Sequence, residues 1–383
     1  MTVRLPASDG GLIEVRIAAR PRLEVSALPP TSRMVFAASH VVADPLRTST
    51  ADGQIDWDAT LALRHDIWDV GLGVAESMDT AQRGMGLSAA QAMELAKRTL
   101  ADDPRGGAGT VVGVNTDALH PASTPALSEI VDAYLEQMRF VTDHGGTPVL
   151  MASRHLARTA DGPDDYHRVY GELLSQCSSP VILHWLGEVF DPALAGYWGV
   201  ADPAAALNTV IELIETHRDK VSGIKVSLLD PAFELELRRR LPRGVAVFTG
   251  DDFNYTDMIA GDHTGASHAL LGAFAALAPW ASAAFARLDA GDEPGFRTIL
   301  GPTEPLSRAV FATPTQYYKV GIVWLAYLSG AQDHSRMLGG FETGRDLLHL
   351  AELVHLANAM AYFPDPELTE VRLRTFFAAH GVG

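Results

Sequence analysis

Short apolar, β-prone runs recur along this chain roughly every 25 to 45 residues, and the segments between them carry helical periodicity. That alternation limits the fold, because a parallel strand pair needs a crossover long enough to hold a helix, whereas an antiparallel pair needs only a turn. Eight candidate strands can be read: Met34 to Ala38, Leu72 to Ala75, Thr110 to Val114, Thr147 to Met151, Val181 to His184, Gly223 to Val226, Val245 to Thr249 and Ala266 to Leu270. Eight such units closing on themselves predict an α/β protein of the (β/α)8, or TIM-barrel, type; five to seven would suggest an open doubly wound sheet. No Gly-x-Gly-x-x-Gly follows any of these runs, which weighs against the open, dinucleotide-binding alternative.

The rest of the chain divides around that barrel. Residues Thr2 to Arg22 alternate apolar and polar side chains about Asp9-Gly10-Gly11, a hairpin signal, and Pro29-Pro30 separates them from the first barrel strand. The expected organisation is an N-terminal β-hairpin extension over 1–30, the barrel over 31–303, and C-terminal helices over 304–383 that pack on the barrel or at a subunit interface. The helical segments of that extension are Glu304 to Gly330, Gly344 to Ala361 and Pro366 to Ala379. Within the barrel, Asp56-Trp57-Asp58 opens a helix that Gly71 stops, and Ser88 with Gln91 forms a capping box.

Composition removes several function classes. With 383 residues, 47% of them hydrophobic, the chain can bury a large core. Its 30 basic and 47 acidic side chains leave a net charge of −17, so no basic footprint for nucleic acid or an anionic membrane exists. A single cysteine, Cys177, excludes an intramolecular disulfide and a cysteine-based zinc cluster, which points to a reducing, cytoplasmic setting. No apolar run is long enough to span a bilayer.

Chemistry enters at Ser222-Gly223-Ile224-Lys225-Val226, where a lysine sits inside an apolar, strand-like run. Burial disfavours the ammonium, lowers its pKa and yields a neutral amine that can form an imine with a carbonyl compound. In a barrel of this type catalytic groups stand at the C-terminal ends of strands and in the loops just after them. That rule selects Ser39, Glu76, Asp79, Thr80, Asn115, His184, Lys225 and Asp251.

The order of these features resembles the dihydrodipicolinate synthase and N-acetylneuraminate lyase superfamily, and more narrowly an uncharacterised bacterial family of dihydrodipicolinate-synthase-like proteins. The resemblance runs from about Met34 to Leu328 and rests on YHRVYGELLSQCSSPVILHW at Tyr166 to Trp185, GIK at Gly223 to Lys225 and FTGDD at Phe248 to Asp252. It implies that Lys225 is the imine-forming lysine and that the protein is a homodimer or homotetramer. Two departures stand out. His184 occupies the place of the superfamily's strand-end tyrosine, where an imidazole can also relay protons. Met78-Asp79-Thr80-Ala81-Gln82-Arg83 replaces the Gly-Thr-Thr-Gly-Glu loop that holds the carboxylate of pyruvate; Asp79 would repel a carboxylate, although Thr80, Gln82 or Arg83 could donate to one.

The expected activity is therefore that of a class I Schiff-base lyase, aldolase or dehydratase acting on a keto acid, keto-sugar or sugar-acid derivative. Lys225 would be the nucleophile and His184 the proton shuttle, with Ser39, Glu76, Asp79, Thr80, Asn115 and Asp251 as substrate contacts, and no cofactor is required. One alternative is a divalent-metal-dependent barrel lyase or isomerase with Glu76, Asp79, His184 and either Asp251 or His263 as ligands. Another is a catalytically silent ligand-binding barrel. Lys319 is the weaker imine candidate because lysines on helix surfaces are common, and Tyr317, Tyr318 and Trp324 read as helix packing.

Overall fold

The computed structural model of the protein describes residues 2–46 and 55–382. Two strands, β1 (Val3–Pro6) and β2 (Leu12–Val15), form the expected antiparallel hairpin as a sheet of its own. The next eight are β3 (Val35–Ala38), β4 (Gly73–Glu76), β5 (Thr110–Val114), β6 (Thr147–Leu150), β7 (Val181–Leu186), β8 (Val221–Ser227), β9 (Ala246–Thr249) and β10 (His268–Leu271). All eight are parallel, and β10 returns to pair with β3, so the sheet closes into a barrel with helices between successive strands. Each coincides with one of the eight apolar runs, with ends shifted by a few residues at most.

Side-chain alternation splits every strand between two cores. Ala38, Ala75, Val111, Val149, Ile182, Phe248 and Leu270 form a cluster inside the barrel, while Val35, Val74, Val112, Leu183, Ile224 and Val247 belong to the larger core between strands and helices. Phe36 and Phe248, with ring centroids 6.1 Å apart, plug the interior. Gly223 makes room for this plug, since a Cβ there would stand 2.7 Å from the Phe248 ring.

Helix boundaries obey the local signals. Asp56 accepts a hydrogen bond from the Ala59 amide at the start of Trp57–Asp69, and Ser88 with Gln91 forms a complete capping box on Ala89–Asp102. No helix among the described residues is long and apolar enough to cross a membrane.

The C-terminal extension departs from the expected continuous helix over Glu304 to Gly330. Helix Glu304–Val310 ends, a single 3-10 turn spans Thr315–Tyr317, and Tyr318–Ser329 begins anew. Pro314 has no amide proton to donate and cannot continue the first helix. Helices Leu347–Ala359 and Pro366–Ala379 come next, and the N-terminal segment rests on them: Asn358 bonds to Arg16 and Ala18, and the Arg20 amide donates to the Phe363 carbonyl. The break at Pro314 turns part of the extension across the C-terminal end of the barrel. Ser307 there donates to the Asp252 carbonyl at 2.6 Å, and Gln332 bonds to His40 at 2.6 Å.

Candidate active site

Lys225 stands on β8 between Gly223 and Ser227, all on the inner face, while Ile224 and Val226 face the helices. Its register partners are His184 on β7 and Phe248 on β9. The side chain is buried, and among the described residues its amine makes no hydrogen bond or ion pair. Burial lowers its pKa from the ordinary lysine value, opposed by the fields of Asp79 and Asp252. Gly250 leaves the space the side chain needs: a Cβ at that position would lie 2.8 Å from Lys225 Cε and 2.3 Å from Ser227 Oγ.

His184 is fully buried. Its Nε2 lies 3.2 Å from Ser227 Oγ, and its Nδ1 has no partner among the described residues. Burial first, and the neighbouring Lys225 second, hold its pKa well below the ordinary imidazole value, so the ring is neutral at neutral pH. Two carboxylates act on this lysine, Asp79 after β4 and Asp252 after β9. Asp252 accepts a hydrogen bond from the Ala273 amide at 2.9 Å, and burial raises its pKa to about 7 against that bond and the field of Lys225. Thr80 reaches the same region with its hydroxyl 2.7 Å from that of Tyr318, whose ring stacks on Phe311 at 4.3 Å. Tyr318 and the adjacent Lys319 arrive from the C-terminal extension.

Lys319 is not a surface lysine. It is buried, its Nζ donates to the Gln316 carbonyl at 3.2 Å, and burial lowers its pKa to about 8. A cavity of about 570 Å³, with Lys319 outside its lining, is formed by Asp79, Gly84, Asn115, Met151, Arg154 and Asp191 among others. It lies at the C-terminal ends of β4, β5, β6 and β7.

Several selected residues are engaged elsewhere. Glu76 points outward into the helix layer, where it pairs with Arg64 through both oxygens, at 2.8 and 3.0 Å, and accepts from Thr99 and the Ser77 amide. Ser39 lies beside the same guanidinium, 3.2 Å from Arg64 Nη1. Asp251 accepts from the amides of Phe253 and Asn254 and from the Asn254 side chain, so it organises the loop after β9 rather than facing the lysine. His263 is exposed in the loop leading into β10, at the opposite end of the barrel. The ligand set Glu76, Asp79, His184 and His263 therefore does not converge, with or without Asp251. Among the described residues no three His, Cys, Asp or Glu side chains are grouped so as to hold a metal ion. Asn115 lines the cavity, with its Oδ1 accepting from the Thr116 amide.

Arg83 and Gln82 are likewise committed. Arg83 bonds to Asp117, Gln137 and the carbonyls of Gly113 and Ser77, while Gln82 bonds to Met85 and Leu338. From the sequence, Asp252, Ser227 and Tyr318 have no assigned role in the site, and Lys319 stands only as the weaker imine candidate. Alternation carried past the strand ends would have found the first two, since Phe248, Gly250 and Asp252, like Gly223, Lys225 and Ser227, are two apart.

A family model described as "Protein of unknown function (DUF993)" matches residues 3–382. The chain belongs to that family. Among curated proteins, none matches its sequence. Its fold matches solved dihydrodipicolinate synthases. The Thermotoga maritima enzyme aligns with a TM-score of 0.63 at 12% identity, covering 87% of this chain and 100% of that one. The Aquifex aeolicus enzyme gives 0.60 at 13%, covering 91% and 98%. That of Oceanobacillus iheyensis gives 0.61 at 15%, covering 86% and 97%. At these identities the likeness is one of fold.

Proposed function

We propose that this protein is a class I lyase, an aldolase or dehydratase, that binds a small keto compound as an imine on Lys225. The observation that carries the reading is the Lys225 amine itself, buried at the C-terminal end of a barrel strand with no hydrogen bond among the described residues to hold it as an ammonium. The neutral amine attacks the ketone carbon; a C–N bond forms, and the carbonyl oxygen takes up two protons and leaves as water. The iminium then draws in the electron pair of an adjacent C–C bond, or of a C–H bond ahead of loss of a β-hydroxyl. C–C cleavage leaves an enamine whose carbon takes up a proton, and loss of the β-hydroxyl as water likewise restores C=N; water adding across it then frees the product and the amine.

Asp252 is the better proton carrier in this scheme, because a carboxyl raised to about 7 can both hold and release a proton near neutral pH. His184, expected to act as shuttle, is held neutral, and its unpartnered Nδ1 suits it to accept a hydrogen bond from the substrate or the amine instead. Thr80 and Tyr318 supply hydroxyls. With Gln82 and Arg83 committed and Asp79 repelling anions, a carboxylate directly beside the reacting ketone is poorly served. A keto-sugar or sugar-acid derivative, whose hydroxyls Asp79, Thr80 and Asn115 can grip, fits better than pyruvate.

The test is mass spectrometry after borohydride reduction with 2-keto acids and keto-sugars. A ligand-sized gain mapped to Lys225 and absent from folded Lys225→Ala is expected. No adduct with any compound, or an unchanged adduct in Lys225→Ala, refutes the assignment.

A further inference from the structure

Lys319 and Arg154 are cations with unmet bonding capacity that converge on one short stretch of chain. Lys319 Nζ lies 3.8 Å from Met85 Sδ, and the Nη1 of Arg154 lies 3.6 Å from the position a Cβ on the neighbouring Gly84 would take. Among the described residues no carboxylate lies within ion-pair distance of Lys319; its partners are the Gln316 carbonyl, the Met85 thioether and the face of the Tyr318 ring, 4.5 Å from Nζ. An ammonium has three protons to donate, and a buried charge without a counter-charge is costly. Arg154 uses its Nε on Asp191, and neither of its terminal nitrogens makes a hydrogen bond among the described residues. Arg154, Gly84 and Asp191 all line the cavity at the C-terminal ends of the strands.

We infer that Arg154 in the wall of this cavity, with Lys319 buried nearby beside Met85, forms an anion subsite that receives a carboxylate or phosphate at the end of the substrate distant from the ketone. The inference rests on the reading of Lys225 as the imine-forming residue and narrows its substrate class to keto compounds with a terminal acidic group. The planar guanidinium can donate two parallel bonds to such an oxyanion, and the ammonium adds a compact charge. The anion would supply the short ion pair that Lys319 lacks, beyond the fields of Asp79 and Asp191 that already reach it, while Asp79, whose field also reaches Lys225, discriminates against an acidic group adjacent to the ketone.

The experiment compares paired probes that differ only in the distal group: dihydroxyacetone with dihydroxyacetone phosphate, and 2-butanone with levulinate. Half-saturation of the borohydride-trapped adduct is measured in wild type and Lys319→Gln. In wild type at least one charged probe should saturate at about tenfold lower concentration than its uncharged partner, and Lys319→Gln should erase that ratio. The pair that shows the ratio tells phosphate from carboxylate. In parallel, inorganic phosphate and glutarate are titrated calorimetrically into Lys225→Ala, with and without Lys319→Gln. Anion binding that persists in Lys225→Ala and weakens about tenfold in the double variant supports the subsite even if no adduct ever forms at Lys225, in which case only the lyase reading falls. A folded Lys319→Gln that keeps the ratio, or anion binding indifferent to it, overturns the inference. Should Lys319→Gln fail to fold, Arg154→Gln, a half-exposed position, decides in the same way: an undiminished ratio and undiminished anion binding overturn it.

Discussion

Replacing Lys319 with methionine should make the ligand-free protein more stable. Methionine keeps most of the stem's packing and removes the ammonium. The lysine pKa falls from 10.5 to about 8 on folding, chiefly through burial, which corresponds to about 3 kcal/mol of destabilisation when the group is charged in both states. Loss of the contact with the Tyr318 ring gives back about 1 kcal/mol, leaving a net gain of about 2 kcal/mol at pH 7. For 383 residues that is a rise in Tm of about 2 to 3 °C. Because the folded pKa lies below the unfolded one, the unfolded chain holds the proton more tightly between pH about 8 and 10.5. Wild-type stability from this group therefore rises with pH across that window, and the advantage of Lys319→Met, full below about pH 8, shrinks to nothing by about pH 10. Calorimetric or denaturant unfolding of both proteins from pH 7 to 10 reads the effect directly. A variant less stable at pH 7, or a gain that does not change with pH, would refute the argument, because the first means the ammonium is already compensated and the second that packing is responsible.

Three other changes have defined outcomes. Gly250→Ala drives a methyl to 2.8 Å from Lys225 Cε and 2.3 Å from Ser227 Oγ, and should slow borohydride trapping about tenfold or more while circular dichroism shows the barrel intact. Asp252→Asn should lower turnover about 100-fold or more and remove a pH inflection near 7. Since the folded pKa of Asp252 is raised, its cost to stability is absent below the unfolded value of 3.8 and full above about 7, so unfolding of Asp252→Asn should show a gain that grows across that range. Glu76→Gln strands the buried Arg64 guanidinium and should cost about 3 to 5 kcal/mol in denaturant unfolding, without loss of trapping at Lys225 in the protein that remains folded.

The barrel was legible because its signal is repeated: eight apolar runs with helical spacers can hardly satisfy any other closed arrangement, and Lys225 could be singled out because it interrupts one of them. The direction of side chains was less legible. Proximity to a strand end does not say which way a polar residue points, since strands continue to alternate into their loops. Glu76 comes two residues after the outward Val74 and so meets Arg64, whereas Ser39 comes directly after the inward Ala38 and faces out beside the same arginine. The same rule exchanges Asp251 for Asp252. Glu76 was thus a buried structural carboxylate with the local appearance of a ligand, and only its parity distinguished the two.

No local rule could have placed Tyr318 and Lys319. Their helix looked like ordinary packing because its apolar residues are buried, and the polar pair at its first turn gains meaning only when Pro314 ends the preceding helix and the chain turns over the barrel mouth. Thr80 and Tyr318 are 238 positions apart in sequence and 2.7 Å apart in space. The consequence is a division of labour within the site. On the proposed reading, strands β8 and β9 position Lys225 and Asp252, while the extension adds a hydroxyl and a second cation on the side where the substrate's far end would lie. Specificity can then change with the extension while the lysine stays where the barrel fixes it.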